Sequence, residues 1–314
     1  MMHVMGIDAG GTKTVCQLVD ETGRLVAQAR GGGANLQADG ELAVEKVLHR
    51  VMDEVIADRG VIPAAVCLGM AGVDRPDDAS VVRGIMSRIG YKARALVVND
   101  ALIALQAAVD DAPGVVIVAG TGSIVYGRNA RGEAARAGGW GYVLGDEGSG
   151  YWMGRLALRA VVRQADRRGR ATALTPLVLA HFGVPRAADL VHEVYRRGSR
   201  PAVLAALAGH VQASAAEGDA VAAGIIESGA QALVAAADSV ARRLELDRAP
   251  VVYVLSGGMF RGVPRLAEEV ARQLAQAAPG GQVQLLQREP AEGAVRLALA
   301  EARGGARLPI YRVD

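Results

Sequence analysis

The sequence MGIDAGGTKT near the N-terminus places a carboxylate, a glycine pair and two hydroxyls within ten residues. Asp8 ends an apolar run, where a buried carboxylate is costly unless a cation lies opposite it. In the Gly10-Gly11 turn, the absence of Cβ permits positive φ and the close approach of a ligand. The amides of such a turn, with the hydroxyls of Thr12 and Thr14, can bind an anion. The grouping therefore indicates a phosphate site with Mg²⁺, although a plain β-hairpin with a glycine turn explains the same residues.

Two further glycine turns follow apolar strands. The turn GTGS at 120–123 comes after VVIVA, and the turn SGG at 256–258 comes after VVYVL. Each turn alone is weakly diagnostic, but three of them in a chain of two α/β halves favour a nucleotide bound between the halves. We expect two turns to hold the phosphates and the third to let the adenosine pack against bare backbone.

Asp100 is the carboxylate best placed to act as a general base. It ends a predicted strand, follows Asn99 and precedes a predicted helix. One interpretation is N-capping of that helix, a position at which Asp is among the preferred residues. The other is acceptance of a proton from a hydroxyl that attacks a γ-phosphate. Both can hold for one residue.

The segment GGWGYVLGDEGSG at 138–150 is unusually dense in glycine and carries Asp146 at the start of the next helix. An acidic residue there favours the helix dipole, so capping is the simpler explanation. Trp140 and Trp152 are each expected in the core by default, or else as a platform on which a sugar ring stacks. Asn35 lies in GGGAN, which is expected to be a flexible loop where a turn role is routine.

Composition bounds the class of protein. Of the 314 residues, 51% are hydrophobic, and the net charge of +2 gives no electrostatic case for nucleic acid as a partner. Cys16 and Cys67 lie in apolar runs and are expected to be buried thiols, not a disulfide or a metal site. No signal peptide and no apolar run near the ~18 residues that span a bilayer is visible, so we expect a cytoplasmic protein with no membrane partner.

Hydrophobic periodicity predicts an α/β fold. Residues 2–30 are predicted as three strands in a meander, and residues 39–58 as a helix with one apolar face formed by Leu42, Val47, Val51, Val55 and Ile56. A strand at 64–72, a helix at 77–89 and a strand at 95–98 give a βββαβαβ order with parallel later strands.

A second α/β pattern begins with the strand 115–120 and a hairpin turn at 129–132. A long alanine-rich helical region follows to about Arg243, with breaks expected near Thr175-Pro176, Pro185 and residues 199–201. The remaining predicted elements are a strand over 251–256, a helix to 277, a strand at 283–287 and a helix at 291–302.

Taken together, these motifs resemble those of the sugar kinase, heat-shock ATPase and actin superfamily, and within it the N-acetylglucosamine kinase and BadF/BadG/BcrA/BcrD ATPase family. They are IDAGGTKT, Asn99-Asp100, AGTGS at 119–123, GGWGYVLGDEGSGYW at 138–152 and LSGG at 255–258. The resemblance covers essentially the full chain. It implies two ribonuclease-H-like (actin-like ATPase) domains around an ATP/sugar cleft. Residues 1–112 plus 291–314 would form the N-terminal domain, and 113–290 the C-terminal domain with helical insertions.

The resemblance also implies ATP-dependent phosphorylation of an amino sugar, first of all N-acetylglucosamine to its 6-phosphate, by a homodimer. Asp100 would be the catalytic base, and Asp8 would position Mg²⁺ through water. The residues that would bind ATP are Gly10, Gly11, Thr12, Lys13, Gly120, Thr121, Gly122, Gly257 and Gly258. Those that would bind the sugar are Asn35, Asp100, Ser123, Gly139, Trp140 and Asp146.

Two departures bear on the substrate. Animal members of the family carry aromatic residues after the asparagine that matches Asn35, whereas Leu36 and Gln37 follow here, which leaves recognition of the N-acetyl group open. The bacterial glucosamine kinases depart from GGWG and GDEGS, both of which this chain keeps. Glucosamine or a broader hexose range is therefore the alternative substrate.

Two other functions fit parts of the pattern. The family includes ATPases that activate a 2-hydroxyacyl-CoA dehydratase or benzoyl-CoA reductase and hold an iron–sulfur cluster between subunits on loop cysteines. Here Cys16 and Cys67 are predicted inside strands, which disfavours that function. A non-catalytic sugar sensor is the second alternative, and the presence of Asp100 with all three glycine turns favours catalysis over it.

Overall fold

The apolar strand β1 (His3–Ala9) organises a five-stranded sheet in this computed structural model, which describes residues 1–57, 59–73, 75–91, 93–197, 200–246 and 250–312. The other strands of this sheet are β2 (Lys13–Asp20), β3 (Leu25–Gly32), β4 (Ala65–Met70) and β5 (Arg94–Asn99). Their order is β3-β2-β1-β4-β5, with β1, β2 and β3 antiparallel and with β4 and β5 parallel to β1. The predicted meander and the parallel later strands are confirmed.

The helices around this sheet are α1 (Leu36–Asp39), α2 (Glu41–Ile56), α3 (Pro76–Arg88) and α4 (Asp100–Val109). The predicted flexible loop at 31–35 is wrong, because its first two glycines belong to β3 and Asn35 caps α1. In α2 the buried stripe contains Val44, Leu48 and Val51. Leu42 lies about 200° around the helix from Val44, which leaves its side chain 65% exposed and makes its placement on the buried face wrong.

A six-stranded sheet contains the later strands. They are β6 (Gly114–Ala119), β7 (Ser123–Arg128), β8 (Glu133–Gly138), β9 (Val252–Ser256), β10 (Gln282–Leu285) and β11 (Ile310–Tyr311). The sheet order is β10-β9-β6-β7-β8-β11. The short strand β11, which the sequence did not predict, pairs in parallel with β8.

The helical region between β8 and β9 consists of short segments and one long helix. These are α5 (Gly150–Ala165), α6 (Leu174–Phe182), a 3-10 turn (Ala187–Asp189), α7 (Leu190–Arg197), α8 (Pro201–Ala205), α9 (Ala208–Ala216) and α10 (Ala220–Arg243). The break predicted at Thr175-Pro176 is wrong, because Pro176 occupies the first turn of α6, where its missing N–H costs nothing. Of the break predicted at 199–201, Ser199 lies outside the described residues.

Helix α10 is, among the residues that the structure describes, the one helix long and apolar enough to cross a membrane by length and composition. The sequence-based expectation of no such run is therefore corrected. The helix buries one face, which includes Ile226, Leu233 and Val240, and it packs against α5, α9 and α12 (Pro264–Ala277). This packing is typical of a core helix.

Two further helices complete the list of elements. They are α11 (Gly258–Gly262) and α13 (Pro290–Ala302), the latter packing on β1, β4 and α4. Unit 1 comprises Met1–Val116, Tyr126–Ala135 and Leu286–Asp314, and unit 2 comprises Ile117–Val125 and Arg136–Leu285. The boundary runs through β6, β7 and β8, and the domain limits inferred from the sequence stay a prediction.

Candidate active site

The turn between β1 and β2 carries the first predicted phosphate site, in unit 1. The Gly10 amide donates to the carbonyl of Lys13 at 2.9 Å, and the Gly10 carbonyl accepts from the Ala34 amide at 2.9 Å. Neither Gly10 nor Gly11 has positive φ, so that part of the prediction is wrong and the glycines contribute only the absence of a side chain. The expected anion contact of Thr14 is also wrong, because its buried hydroxyl donates to the Gly32 carbonyl at 2.8 Å. Thr12 and Lys13 are exposed on the turn.

Three carboxyl groups and one ammonium influence each other at the end of β1. Burial raises the pKa of Asp8 to about 7, and the charges of Asp100 and Glu289 raise it too, while Lys13 lowers it. The Lys13 Nζ lies 3.0 Å from Glu289 Oε2. The predicted metal residue, the predicted base and one predicted ATP residue thus share one electrostatic environment.

Asp100 does not cap helix α4, although capping was one interpretation of its position. Asn99 is the N-cap of α4, and its Oδ1 accepts the Ala101 amide at 2.7 Å. Asp100 is the first residue of the helix and is half-buried. A carboxylate there benefits from the positive end of the helix dipole. The capping interpretation of Asp100 is therefore wrong, and the sequence reasoning missed the capping role of Asn99.

Asn35 is fixed by its own cap. Its side-chain Oδ1 accepts hydrogen bonds from the backbone amides of Gln37 at 3.0 Å and Ala38 at 3.1 Å. Its own backbone amide donates to Asp39 Oδ2 at 3.0 Å. Because the carbonyl oxygen is used in capping, the Nδ2 group is the part of this side chain suited to donate to a sugar oxygen. Leu36, which follows Asn35, is buried.

The second glycine turn and Asp146 come together in unit 2. The Ser123 amide donates to Asp146 Oδ1 at 3.3 Å, and the Ser123 hydroxyl donates to the Glu147 carbonyl at 2.8 Å. A Cβ on Gly122 would lie 2.7 Å from Asp146 Oδ2, so glycine is needed there for the carboxylate to approach. The Gly139 amide donates to the Ser123 carbonyl at 3.0 Å. The predicted sugar residues Ser123, Gly139 and Asp146 are thus direct neighbours.

The backbone of Asp146 has a left-handed conformation and its carboxyl group is buried, and both are unfavourable for folding. It has a φ of +62°, and only 7% of its surface is exposed. Burial raises its pKa to about 6, with the Ser123 amide acting to lower it and the Glu147 charge to raise it. Capping of α5 belongs to Ser149, whose hydroxyl accepts the Trp152 amide at 3.2 Å. Asp146 therefore does not cap the helix, and its ionised form is unfavourable for folding above pH 6, a combination that is common at functional sites.

Asp146→Asn is expected to stabilise the unliganded protein at pH 8. The carboxyl binds its proton more tightly in the folded chain than in the unfolded one, whose pKa is near 3.8, so the folded state loses stability as pH rises from about 4 to about 6. The substitution removes that loss, which is on the order of 3 kcal/mol at pH 8 and only a small fraction of that at pH 4. Urea unfolding at both pH values measures it, with the exposed Asp166→Asn as the control. A variant less stable than the parent at pH 8 would contradict the prediction.

The third glycine turn packs directly on the strand that leads into the second one. Gly257 has a φ of +108°, and a Cβ there would lie 2.2 Å from the Ala119 carbonyl oxygen. The turn after β9 therefore lies against the end of β6, one residue before Gly120. Gly258 starts α11 and is exposed. Two of the three predicted nucleotide turns are thus adjacent within unit 2.

Trp140 lies on the surface of unit 2, so its default placement in the core is wrong. Its side chain is 57% exposed, and the Arg136 guanidinium carbon lies 4.8 Å from its ring centroid. Arg136 Nη1 also donates to the Gly138 carbonyl at 2.8 Å. An exposed indole is suited to stack on a sugar ring.

Sequence reasoning missed Glu289 and Arg136. Glu289 accepts from both Lys13 and Arg30, and these bonds hold its pKa below the usual range although burial acts in the opposite direction. Its contacts are more than 250 positions away in the chain, so no local pattern reveals them. Arg136 could have been found, because it lies two residues before the GGWG motif at 138–141 and on the strand that leads into that loop.

Comparison with known proteins places the chain among sugar kinases. The N-acetylmuramic acid/N-acetylglucosamine kinase of Clostridium acetobutylicum is 32% identical over 304 residues, covering 96% of this chain and 99% of that protein. The N-acetyl-D-glucosamine kinase of Dictyostelium discoideum is 32% identical over 314 residues, covering 94% and 97%. A crystal structure from Chromobacterium violaceum, provisionally named an N-acetylglucosamine kinase, has a TM-score of 0.76 at 28% identity and covers 95% and 99% of the two chains.

The similarity extends over nearly the whole chain. It includes the mixed α/β fold with two sheets that the motifs implied, and that fold class is confirmed. The family pattern itself matches residues 5–298, a span that contains all three glycine turns, Asp100 and Asp146. The chain therefore belongs to the BadF/BadG/BcrA/BcrD ATPase family, as its motifs predict.

Proposed function

We propose that this protein transfers the γ-phosphoryl group of ATP to a hydroxyl of an N-acetylated amino sugar, with N-acetylglucosamine as substrate and its 6-hydroxyl as acceptor. The observation that carries the proposal is the position of Asp100. It follows a parallel strand, starts a helix that Asn99 caps, and acts electrostatically on the predicted metal residue Asp8.

Asp100 accepts the proton of the attacking hydroxyl. The sugar oxygen forms a bond to the γ-phosphorus, the bond from that phosphorus to the β,γ-bridging oxygen breaks, and ADP leaves with the electron pair. The transition state is loose, so the proton passes late and the carboxylate mainly orients the hydroxyl. Lys13 is a cation at the same end of β1, held by Glu289, and is suited to bind a phosphate oxygen.

The residues that we propose to bind ATP lie in the three glycine turns. They are Gly10, Gly11 and Thr12 in the first turn and Gly120, Thr121 and Gly122 in the second, with the two threonines proposed to bind phosphate oxygens. Gly257 and Gly258 take the adenosine, which the bare backbone at that turn allows to approach closely.

Mg²⁺ fits the residues at the end of β1. The raised pKa of Asp8 means that a buried carboxylate lacks enough positive charge around it, which a divalent cation would supply. Carboxylate oxygens are also the protein ligands that Mg²⁺ takes, directly or through water. We propose that Asp8 holds the ion. When bound, Mg²⁺ neutralises charge on the phosphates.

The sugar residues are Asn35, Asp100, Ser123, Gly139, Trp140 and Asp146. An N-acetyl sugar is favoured because the chain keeps GGWG and GDEGS, and because both full-length relatives are named for N-acetylated substrates. Glucosamine and other hexoses are the alternative. The small-molecule sugar, a homodimer and a cytoplasmic location belong to the same proposal.

The two cysteines of this chain disfavour the alternative function as an activator ATPase. Cys16 and Cys67 are both completely buried, and burial raises the pKa of each thiol. Neither sulfur is therefore placed to ligate a cluster shared with a second subunit.

The proposal is tested by measuring kcat/KM with Mg·ATP for N-acetylglucosamine, glucosamine, glucose and mannose, and by locating the phosphate in the product by phosphorus NMR. We expect N-acetylglucosamine to lead and to yield the 6-phosphate. A higher kcat/KM for glucosamine would overturn the N-acetyl preference. A phosphate at the anomeric position would overturn the acceptor.

A further inference from the structure

Arg136 places a guanidinium among the predicted sugar residues of unit 2. It lies near the end of β8, over the Trp140 ring at 4.8 Å, and a Cβ on Gly139 would lie 3.4 Å from its Nη1. Gly139 is in turn bonded to Ser123, whose amide binds Asp146. The arginine is therefore continuous with the sugar residues and not on a separate surface.

The position of Arg136 is fixed by contacts on both its backbone and its side chain. Its carbonyl accepts Arg243 Nη1 at 2.9 Å, and its own Nη1 donates to the Gly138 carbonyl at 2.8 Å. The indole face beneath it adds a cation–π contact. A guanidinium held in this way loses little entropy when it binds a ligand.

The charge of Arg136 has no carboxylate partner among the residues that the structure describes. Several other arginines do, such as Arg131 with Glu133 and Arg196 with Glu193. Of the five N–H groups of Arg136, one of the two on Nη1 has an acceptor among the described residues, the Gly138 carbonyl. The remaining groups form the planar fork that matches a carboxylate.

We propose that Arg136 binds the carboxylate of N-acetylmuramic acid, the acidic sugar for which the Clostridium acetobutylicum relative is named, and is the residue that selects this sugar over neutral ones. The inference rests on the proposed function of the same site. Asp146 adds a reason, because its negative charge opposes an anionic substrate unless a cation lies nearby. Arg136 supplies that cation.

The test compares N-acetylmuramic acid with its neutral methyl ester and with N-acetylglucosamine. For the parent protein we expect a higher kcat/KM with the acid than with the ester, because only the acid offers a carboxylate. Arg136→Gln should lower kcat/KM for the acid by about 10- to 100-fold, the range of a charge-assisted hydrogen bond. The loss of kcat/KM with the ester and with N-acetylglucosamine should be much smaller, because for these substrates the substitution removes only the packing of Arg136 on Trp140.

Arg136→Lys, which keeps the charge but not the fork, should fall between the parent and the glutamine variant. Arg131→Gln, on the exposed turn before β8, is the matched control and should leave the preference for acid over ester as it is. Equal losses for acid and ester in Arg136→Gln would overturn the inference, since a structural role affects both. If the parent phosphorylates N-acetylglucosamine but not N-acetylmuramic acid, the inference alone fails. If no sugar stimulates ADP release, the proposed function fails first.

Discussion

Replacing Asp100 by Asn is expected to lower kcat by about 10²- to 10⁴-fold, the range for loss of a general base. The amide keeps the size of the carboxylate but cannot accept the proton of the sugar hydroxyl. The fold should survive, because Asn99 and not Asp100 caps α4. The Tm should not fall, because the variant also removes a negative charge that acts on buried Asp8. Steady-state ADP release with saturating sugar gives kcat, and nucleotide titration reports ATP binding separately.

The matched control for this variant is Asp77→Asn. Asp77 also lies in the first turn of a helix, α3, but is exposed. Loss of an acidic residue at a helix start is common to both substitutions, so any effect through the helix dipole appears in both. A kcat for Asp100→Asn equal to that of Asp77→Asn would exclude Asp100 as the base.

Gly257→Ala is expected to reduce the free energy of unfolding by about 2–5 kcal/mol, from the cost of positive φ in a residue with Cβ together with overpacking. The new Cβ would lie 2.2 Å from the carbonyl oxygen and 2.7 Å from the carbonyl carbon of Ala119, and neither is a side chain that can rotate away. Either β9 or β6 must move. Because that movement displaces the turn proposed for adenosine, ATP affinity should fall as well.

Gly258→Ala controls for the stability effect. A Cβ at Gly258 meets nothing within 4 Å, its φ is not positive, and the residue starts a helix. Urea unfolding of both variants should show a large loss for Gly257→Ala and little or none for Gly258→Ala. Similar unfolding midpoints for the two variants would mean that the backbone contact with Ala119 does not constrain this turn.

The positions of the strands were predictable because their apolar runs are long and bounded by glycine turns. Strand β1 ends at Ala9 and β6 at Ala119, each directly before a predicted turn. The antiparallel meander of β1, β2 and β3 and the parallel arrangement of β4 and β5 were predicted from the same runs. Strand β11, by contrast, has two residues and is defined by its pairing with β8, so its local sequence does not predict it.

Side-chain roles within the turns were less predictable. Whether Asn99 or Asp100 caps α4 depends on a one-residue difference in where the helix begins, which propensity does not resolve. Thr12 and Thr14 flank Lys13 symmetrically in the sequence. Thr14 lies within β2, where it is buried and bonded to Gly32, whereas Thr12 lies on the turn before the strand and is exposed.

The pairing of distant carboxylates was not predictable from the sequence. Asp8 precedes Asp100 by 92 positions, and Glu289 follows much later on the approach to α13. Their shared environment arises because β1, β5 and α13 meet in one unit. Motifs such as those of Asp8 and Asp100 can be recognised one by one in the sequence. The effect of Asp100 and Glu289 on the pKa of Asp8 can be seen only in the folded structure.

The most direct measurement of the central claim is the stoichiometry of phosphoryl transfer. Purified protein is mixed with Mg·ATP with and without N-acetylglucosamine, and ADP, free phosphate and sugar phosphate are quantified together. We expect one sugar phosphate for each ADP, little free phosphate, and almost no ADP in the absence of sugar. ADP and free phosphate released at equal rates with and without sugar would contradict a sugar kinase and would favour an ATPase.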